Sequence, residues 1–134
     1  MKVVIDTNCL IASIPTFSKY FWLYEEFKRG SFEWVISNEI LTEYNEKVAD
    51  FYSERTANRV LKILTAAPNI IYTEPSYKWQ LIDKDPDDNK FADLALSVNA
   101  FCLVSNDKHF NIFKSLPFPR LKVLRLDEFK SVLF

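Results

Sequence analysis

Short apolar, β-branched runs, each too brief to be a helix, recur along this chain and are separated by segments of helical periodicity. That alternation restricts the fold more than any other feature. ValValIle at 3–5 ends at Asp6, and Phe32–Ile36, Ile70–Tyr72, Phe101–Val104 and Lys122–Leu124 repeat the type. A run as nearly apolar as ValValIle is what a strand covered on both faces requires, and Glu33 and Lys122 are the charged residues in the others. The intervening segments read differently. Phe17–Arg29 places Phe17, Tyr20, Phe21, Leu23, Tyr24 and Phe27 at helical spacing, and Gly30 closes it. Ser37 or Asn38 opens a helix carrying Ile40, Leu41, Tyr44 and Val48 on one face. Ser53–Ala66 repeats the pattern with Val60, Leu61 and Leu64 before Pro68, and another helix spans Asn89–Asn99. A short helix at Phe110–Leu116 stops at Pro117, and Asp127 is read as the cap of a terminal helix. Strands alternating with helices predict an α/β domain with five strands in a mostly parallel sheet.

At 134 residues the chain has room for one core, so residues 1–134 are read as one domain. Its 49% hydrophobic and 16% aromatic content argues against disorder. Gly30 is the one glycine, so neither GxGxxG nor GxxxxGK[ST] can be written, and the phosphate loops built on those motifs are excluded. With 17 basic and 18 acidic side chains, only the local distribution of charge can speak for or against nucleic acid. Cys9 and Cys102 lack metal-type spacing and read as buried core thiols. No apolar window approaches the ~18 residues of a membrane span and no leader pattern precedes MKVVID, so the chain is read as soluble and cytoplasmic, without a membrane role.

In an open parallel sheet, ligands gather beyond the carboxyl ends of the strands, where strand order reverses. Asp6 closes the first strand, and Asp107 follows the fourth by three residues. Glu43 lies in the helix after the second strand, and Asp88 opens the helix before the fourth. All four can share one rim. Two carboxylates about 5 Å apart repel by roughly 3 kcal/mol at an effective dielectric near 20, a cost relieved by protonation or by a cation. With all-oxygen donors, that cation is Mg²⁺ or Mn²⁺ rather than Zn²⁺. Taken singly, each acid is more simply a turn, a cap or an exposed helix residue; their convergence points to metal-dependent phosphodiester or phosphate chemistry.

ValValIleAspThrAsn (3–8), SerAsnGluIleLeuThrGluTyr (37–44), AspProAspAspAsnLysPheAlaAspLeuAlaLeu (85–96) and LeuValSerAsnAspLysHisPhe (103–110) together resemble the PIN-domain family, within it the VapC-like toxin components of toxin–antitoxin systems. The resemblance covers essentially the whole chain. It implies a three-layer α/β/α sandwich around a parallel five-stranded sheet. The activity implied is Mg²⁺- or Mn²⁺-dependent cleavage of RNA by metal-activated water, with a small protein antitoxin as partner. Asp6, Glu43, Asp88 and Asp107 would be the catalytic and metal-binding acids. Asn8 resembles the residue that steadies the first Asp, and Ser105 the small hydroxyl residue before the last acid.

Asp85, Asp87 and Asp93 compete for the third acidic position. Asp88 is preferred because it precedes Ala95 by seven residues, as the family's acid precedes its small helix residue. Asp93, offset by about 140° around the helix, stays a further candidate, while Asp85 and Asp87 read as loop or capping groups. His109, Lys90 and Lys108 read as surface side chains, Lys28–Arg29 and Arg120–Arg125 as modest basic patches, and residues 21–24 as core or a homodimer interface. Two rivals remain open. One is a catalytically weak or inactive PIN-fold binding module. The other is a phosphatase with Asp6 as nucleophile, against which AspThrAsn lacks the second Asp two positions on that one large phosphatase superfamily uses as its acid.

Overall fold

The computed structural model describes residues 1–134 and resolves them into a five-stranded, wholly parallel sheet in the order β3-β2-β1-β4-β5. The strands are β1 (Lys2–Ile5), β2 (Glu33–Ile36), β3 (Ile70–Tyr72), β4 (Cys102–Val104) and β5 (Val123–Leu124). The helices are α1 (Thr7–Ser13), α2 (Phe21–Lys28), α3 (Asn38–Phe51), α4 (Glu54–Ala66), α5 (Asn89–Ser97), α6 (Ile112–Ser115) and α7 (Leu126–Leu133). Val3, Val4, Ile5 and all of β4 are fully buried, so the central strands are covered on both faces, as their unbroken apolar runs require. Right-handed crossovers carry α1–α4 over one face and the β3–β4 and β4–β5 connections over the other, completing the α/β/α sandwich.

The aromatic residues concentrate on the first face. Trp34 of β2 lies 5.1 Å from Phe27 and 6.3 Å from Tyr44, both nearly edge-on, and Phe32 lies 5.3 Å from Phe129 of α7. The Trp34 indole N–H donates to the Tyr44 hydroxyl at 3.2 Å, and that hydroxyl donates to the Ile5 carbonyl. This buried relay sets the phase of α3 against the end of β1, which decides where Glu43 can point.

Local chemistry accounts for the helix ends. Ser37 and Ser53 each accept the backbone N–H three residues on, at 3.2 and 3.0 Å. After α2, Gly30 takes φ +83°, with its N–H on Phe27 and that of Ser31 on Glu26, the paired bonds of a Schellman end.

The five-stranded parallel sheet is as expected, every neighbouring pair being parallel; three local expectations are corrected. A helix, α1, follows β1 directly; only seven residues long, it showed no clear period between Asp6 and Pro15. Helix α2 begins at Phe21 rather than Phe17, because Pro15–Tyr20 forms turns tied by Ser18, whose hydroxyl donates to the Ala12 carbonyl and accepts from the Tyr20 N–H, and Phe17 is left exposed. Asp127 sits inside the first turn of α7, and Glu128 accepts the Arg125 N–H at 2.8 Å. Cys9 and Cys102 are free and buried, and burial pushes both thiols up to about 12.

A Cβ at position 30 would meet nothing within 4 Å, so only the left-handed backbone resists substitution. Gly30→Ala should therefore cost about 1–2 kcal/mol, read as a lower urea midpoint at unchanged slope.

Candidate metal centre

Strand order reverses at β1, whose neighbours β2 and β4 lead in opposite directions along the sheet. Register pairs Ile5 with Val104, so the next residues of each strand emerge side by side. The Asp6 N–H extends the ladder to the Val104 carbonyl at 3.0 Å. Asp6 occupies the cap position of α1 without using its side chain for capping; its backbone carbonyl receives the Cys9 and Leu10 N–H groups instead. The carboxylate is thus not spent on the helix end and faces the rim. Ser105 donates to its Oδ2 at 2.8 Å and accepts the Asp107 N–H at 3.0 Å, tying the two strand ends together.

Asp88 caps no N–H of α5 with its side chain. Its Oδ2 lies 3.0 Å from His109 Nδ1, which is also 3.4 Å from Asp107 Oδ1 and 3.9 Å from Asp85 Oδ2. Asp107 Oδ1 receives the His109 N–H at 2.9 Å.

The electrostatics follow from this crowding. Burial pushes the Asp6 carboxyl up to about 6, the charges of Asp88 and Asp107 push the same way, and the Ser105 hydrogen bond opposes them. Asp88 is raised first by burial, with Asp85 and Asp107 adding to it and the His109 hydrogen bond acting against it. His109 is raised chiefly by its hydrogen bond to Asp88. The charge of Asp107 thus reaches both Asp6 and Asp88, and that of Asp88 reaches Asp6.

Glu43 is engaged by other partners. Lys90 Nζ pairs with its Oε1 at 2.7 Å, and the Thr7 hydroxyl donates to Oε2. Lys90 also donates to the Asp87 carbonyl at 2.7 Å, and its side chain is only 9% exposed. Lys90 is thus no solvated surface lysine but the counter-ion of Glu43. His109 likewise does not stand free on the surface: its half-buried ring lies against the acids.

The other candidates divide by role. Asp93 is buried, and its Oδ1 accepts the Trp79 and Gln80 N–H groups at 3.1 and 3.3 Å. It anchors the β3–α5 loop, with Asn89, which bonds both backbone groups of Ile82. Asn8 is exposed, and it is Ser105 that holds the Asp6 carboxylate. Asp85 both caps, accepting the Asp87 N–H at 3.2 Å, and turns its second oxygen towards His109. No sequence signal marks Lys90 or His109, because the partners that give them their roles, Glu43 and Asp88, come from distant segments.

Oxygen donors in excess of local positive charge at Asp6, Asp88 and Asp107 could hold a divalent cation. Glu43 could join such a set where Lys90 yields it. Fold and rim together define a parallel α/β domain with an acidic centre at its topological switch point. A family model described as PIN domain matches residues 2–109, and the chain belongs to that family. No curated protein sequence matches it. Among solved structures, the chain is similar in fold to one from VapBC2 of Rickettsia felis bound to a DNA fragment from their promoter. The TM-score is 0.66 at 19% identity, over 93% of this chain and 98% of that one.

The Asp6 titration has a stability consequence. A carboxyl at about 6 when folded and near 3.8 when unfolded binds the proton better in the native state. Its contribution is therefore fully present below pH 3.8 and is lost as pH rises through 6. In EDTA at pH 7, Asp6→Asn should stabilise the chain by up to about 3 kcal/mol, the gain shrinking towards pH 4, as thermal unfolding would read.

Proposed function

We propose that the chain is a metal-dependent endoribonuclease, the toxin half of a toxin–antitoxin pair. The observation that carries the reading is the convergence of Asp6, Asp88 and Asp107 from three separate elements, without enough cationic side chains beside them to neutralise their charge. Asp6, Asp88 and Asp107, with Glu43, would hold a Mg²⁺ or Mn²⁺ ion. Bound there, the ion would lower the pKa of water and offset charge developing on a phosphodiester.

The chain's own residues prepare that chemistry. Ser105 fixes one Asp6 oxygen and, through the Asp107 N–H, the position of the β4 rim. Thr7 and Lys90 hold Glu43 at the edge of the centre. Tyr44, bonded to the Ile5 carbonyl, keeps α3 in the phase that this placement needs. Beside Asp107, a hollow of about 140 Å³ is lined by Lys108, Lys114 and Arg125, with Ser105 and Asn106. These cations suit a phosphate backbone rather than base edges, so they would position RNA without reading its sequence.

A small protein antitoxin is the partner in this reading, supported by the fold shared with a chain of VapBC2. The engagement of Glu43 by Lys90 favours a second reading, a PIN-fold binding module with weak or no turnover, because one acid of the set is already neutralised.

Incubating the purified chain with RNA and Mg²⁺ or Mn²⁺ separates the two. A nuclease cuts, Asp6→Asn abolishes cutting, and Ser105→Ala lowers it by about 10–100-fold, the usual effect of removing a partner that orients a ligand. Equal cutting by wild type and Asp6→Asn would contradict the assignment. Mn²⁺ binding without cutting would establish the binding module.

A further inference from the structure

Asp85, Asp88 and His109 form a second grouping on the outer side of the acidic centre, and theirs is the one set of three potential ligands whose donor atoms all lie within 4.8 Å of one another. We propose that these three side chains bind a Zn²⁺-class transition-metal ion, at a site sharing Asp88 with the hard-cation centre but distinct from it.

The geometry suits a single ion. His109 Nδ1 is 3.0 Å from Asp88 Oδ2, 3.4 Å from Asp107 Oδ1, which is engaged by the His109 backbone N–H, and 3.9 Å from Asp85 Oδ2. Donors about 2.1 Å from one ion stand roughly 3–4 Å apart, so binding requires side-chain adjustment and no new backbone path. The local structure builds each ligand. Asp85 spends Oδ1 on the Asp87 N–H and leaves Oδ2 for the ring. Pro86 begins the short turn that separates Asp85 from Asp88. The backbone N–H of His109 is fixed on Asp107, and the adjacent Phe110 is fully buried.

Donor chemistry sets the selectivity. One imidazole nitrogen with two carboxylates favours Zn²⁺ over Mg²⁺, which prefers oxygen alone. Three protein ligands leave a position open, unlike the closed shell of a structural zinc site. A groove of about 530 Å³ lined by Ile82, Lys84, Lys108 and His109 opens beside the ring and provides an entry path. The site stands whether or not the chain cuts RNA.

The chain contains one histidine, so ¹⁵N-histidine labelling reports this ring alone. Titrating the full chain with ZnCl₂ should move the Nδ1 resonance to that of a metal-bound nitrogen and leave Nε2 protonated, while MgCl₂ should not. Asp85→Asn keeps an acceptor for the Asp87 N–H and should weaken Zn²⁺ binding by at least about tenfold in the same signal. Asp6→Asn, which disables the proposed nuclease centre, should retain the Zn²⁺ response. A ring unchanged by Zn²⁺, or equal Zn²⁺ affinity in Asp85→Asn, would overturn the proposal and leave His109 as a counter-ion to its carboxylates.

Discussion

The parallel pairing of β1 with β4 underlies everything at the rim. Because Ile5 is in register with Val104, the chain must deliver Asp6 and Ser105 side by side, and the Ser105 hydroxyl bridges them to Asp107. Two segments 99 positions apart thereby supply one buried carboxylate and its orienting group. Helix α3 is referenced to the same point by the Tyr44 hydroxyl on the Ile5 carbonyl. Disturbing the β1–β4 pairing would move Asp6, Ser105 and Asp107 together, which is why the site depends on sheet register rather than on any one loop.

Electrostatic strain is the other side of this arrangement. A buried Asp6 carboxyl at about 6, raised by burial and then by Asp88 and Asp107, is a group held against its preferred ionisation. The fold relieves part of the crowding with His109 over Asp88 and Lys90 on Glu43. These two partners differ in kind. Lys90 is almost fully enclosed and belongs to the framework, whereas the more accessible His109 ring can exchange its hydrogen bond for another partner. A structural ion-pair network alone would also raise such values; the Asp6 carboxylate, oriented by Ser105 and not spent on capping its own helix, is what argues for a ligand.

Much of the fold was legible in the sequence because it rests on strong local signals. Five apolar runs became five strands within a residue or two, and Ser37, Ser53 and Gly30 marked helix ends through chemistry that acts over three or four residues. Helix α1 was not legible, since its seven residues carry no clear period, and neither was the turn at Pro15–Tyr20, where Phe17 imitates a helical face yet points to solvent. Within the rim, the strand-end positions of Asp6 and Asp107 followed from topology alone. The roles of Lys90, His109 and Asp93 did not, because each depends on a partner 14 to 47 positions away: Trp79 for Asp93, Asp88 for His109, Glu43 for Lys90. Side-chain spacing does not encode such contacts.

The chemistry of the rim depends on whether Asp6 sits in an anionic centre that a divalent cation neutralises. Carboxyl-¹³C NMR of aspartate-labelled protein, titrated with pH in EDTA and again in saturating Mg²⁺, measures this directly. An Asp6 carboxyl titrating near 6 without metal and falling well below that value with Mg²⁺ is the predicted result. An Asp6 that titrates as an ordinary exposed aspartate, or one that Mg²⁺ leaves unmoved, would contradict it.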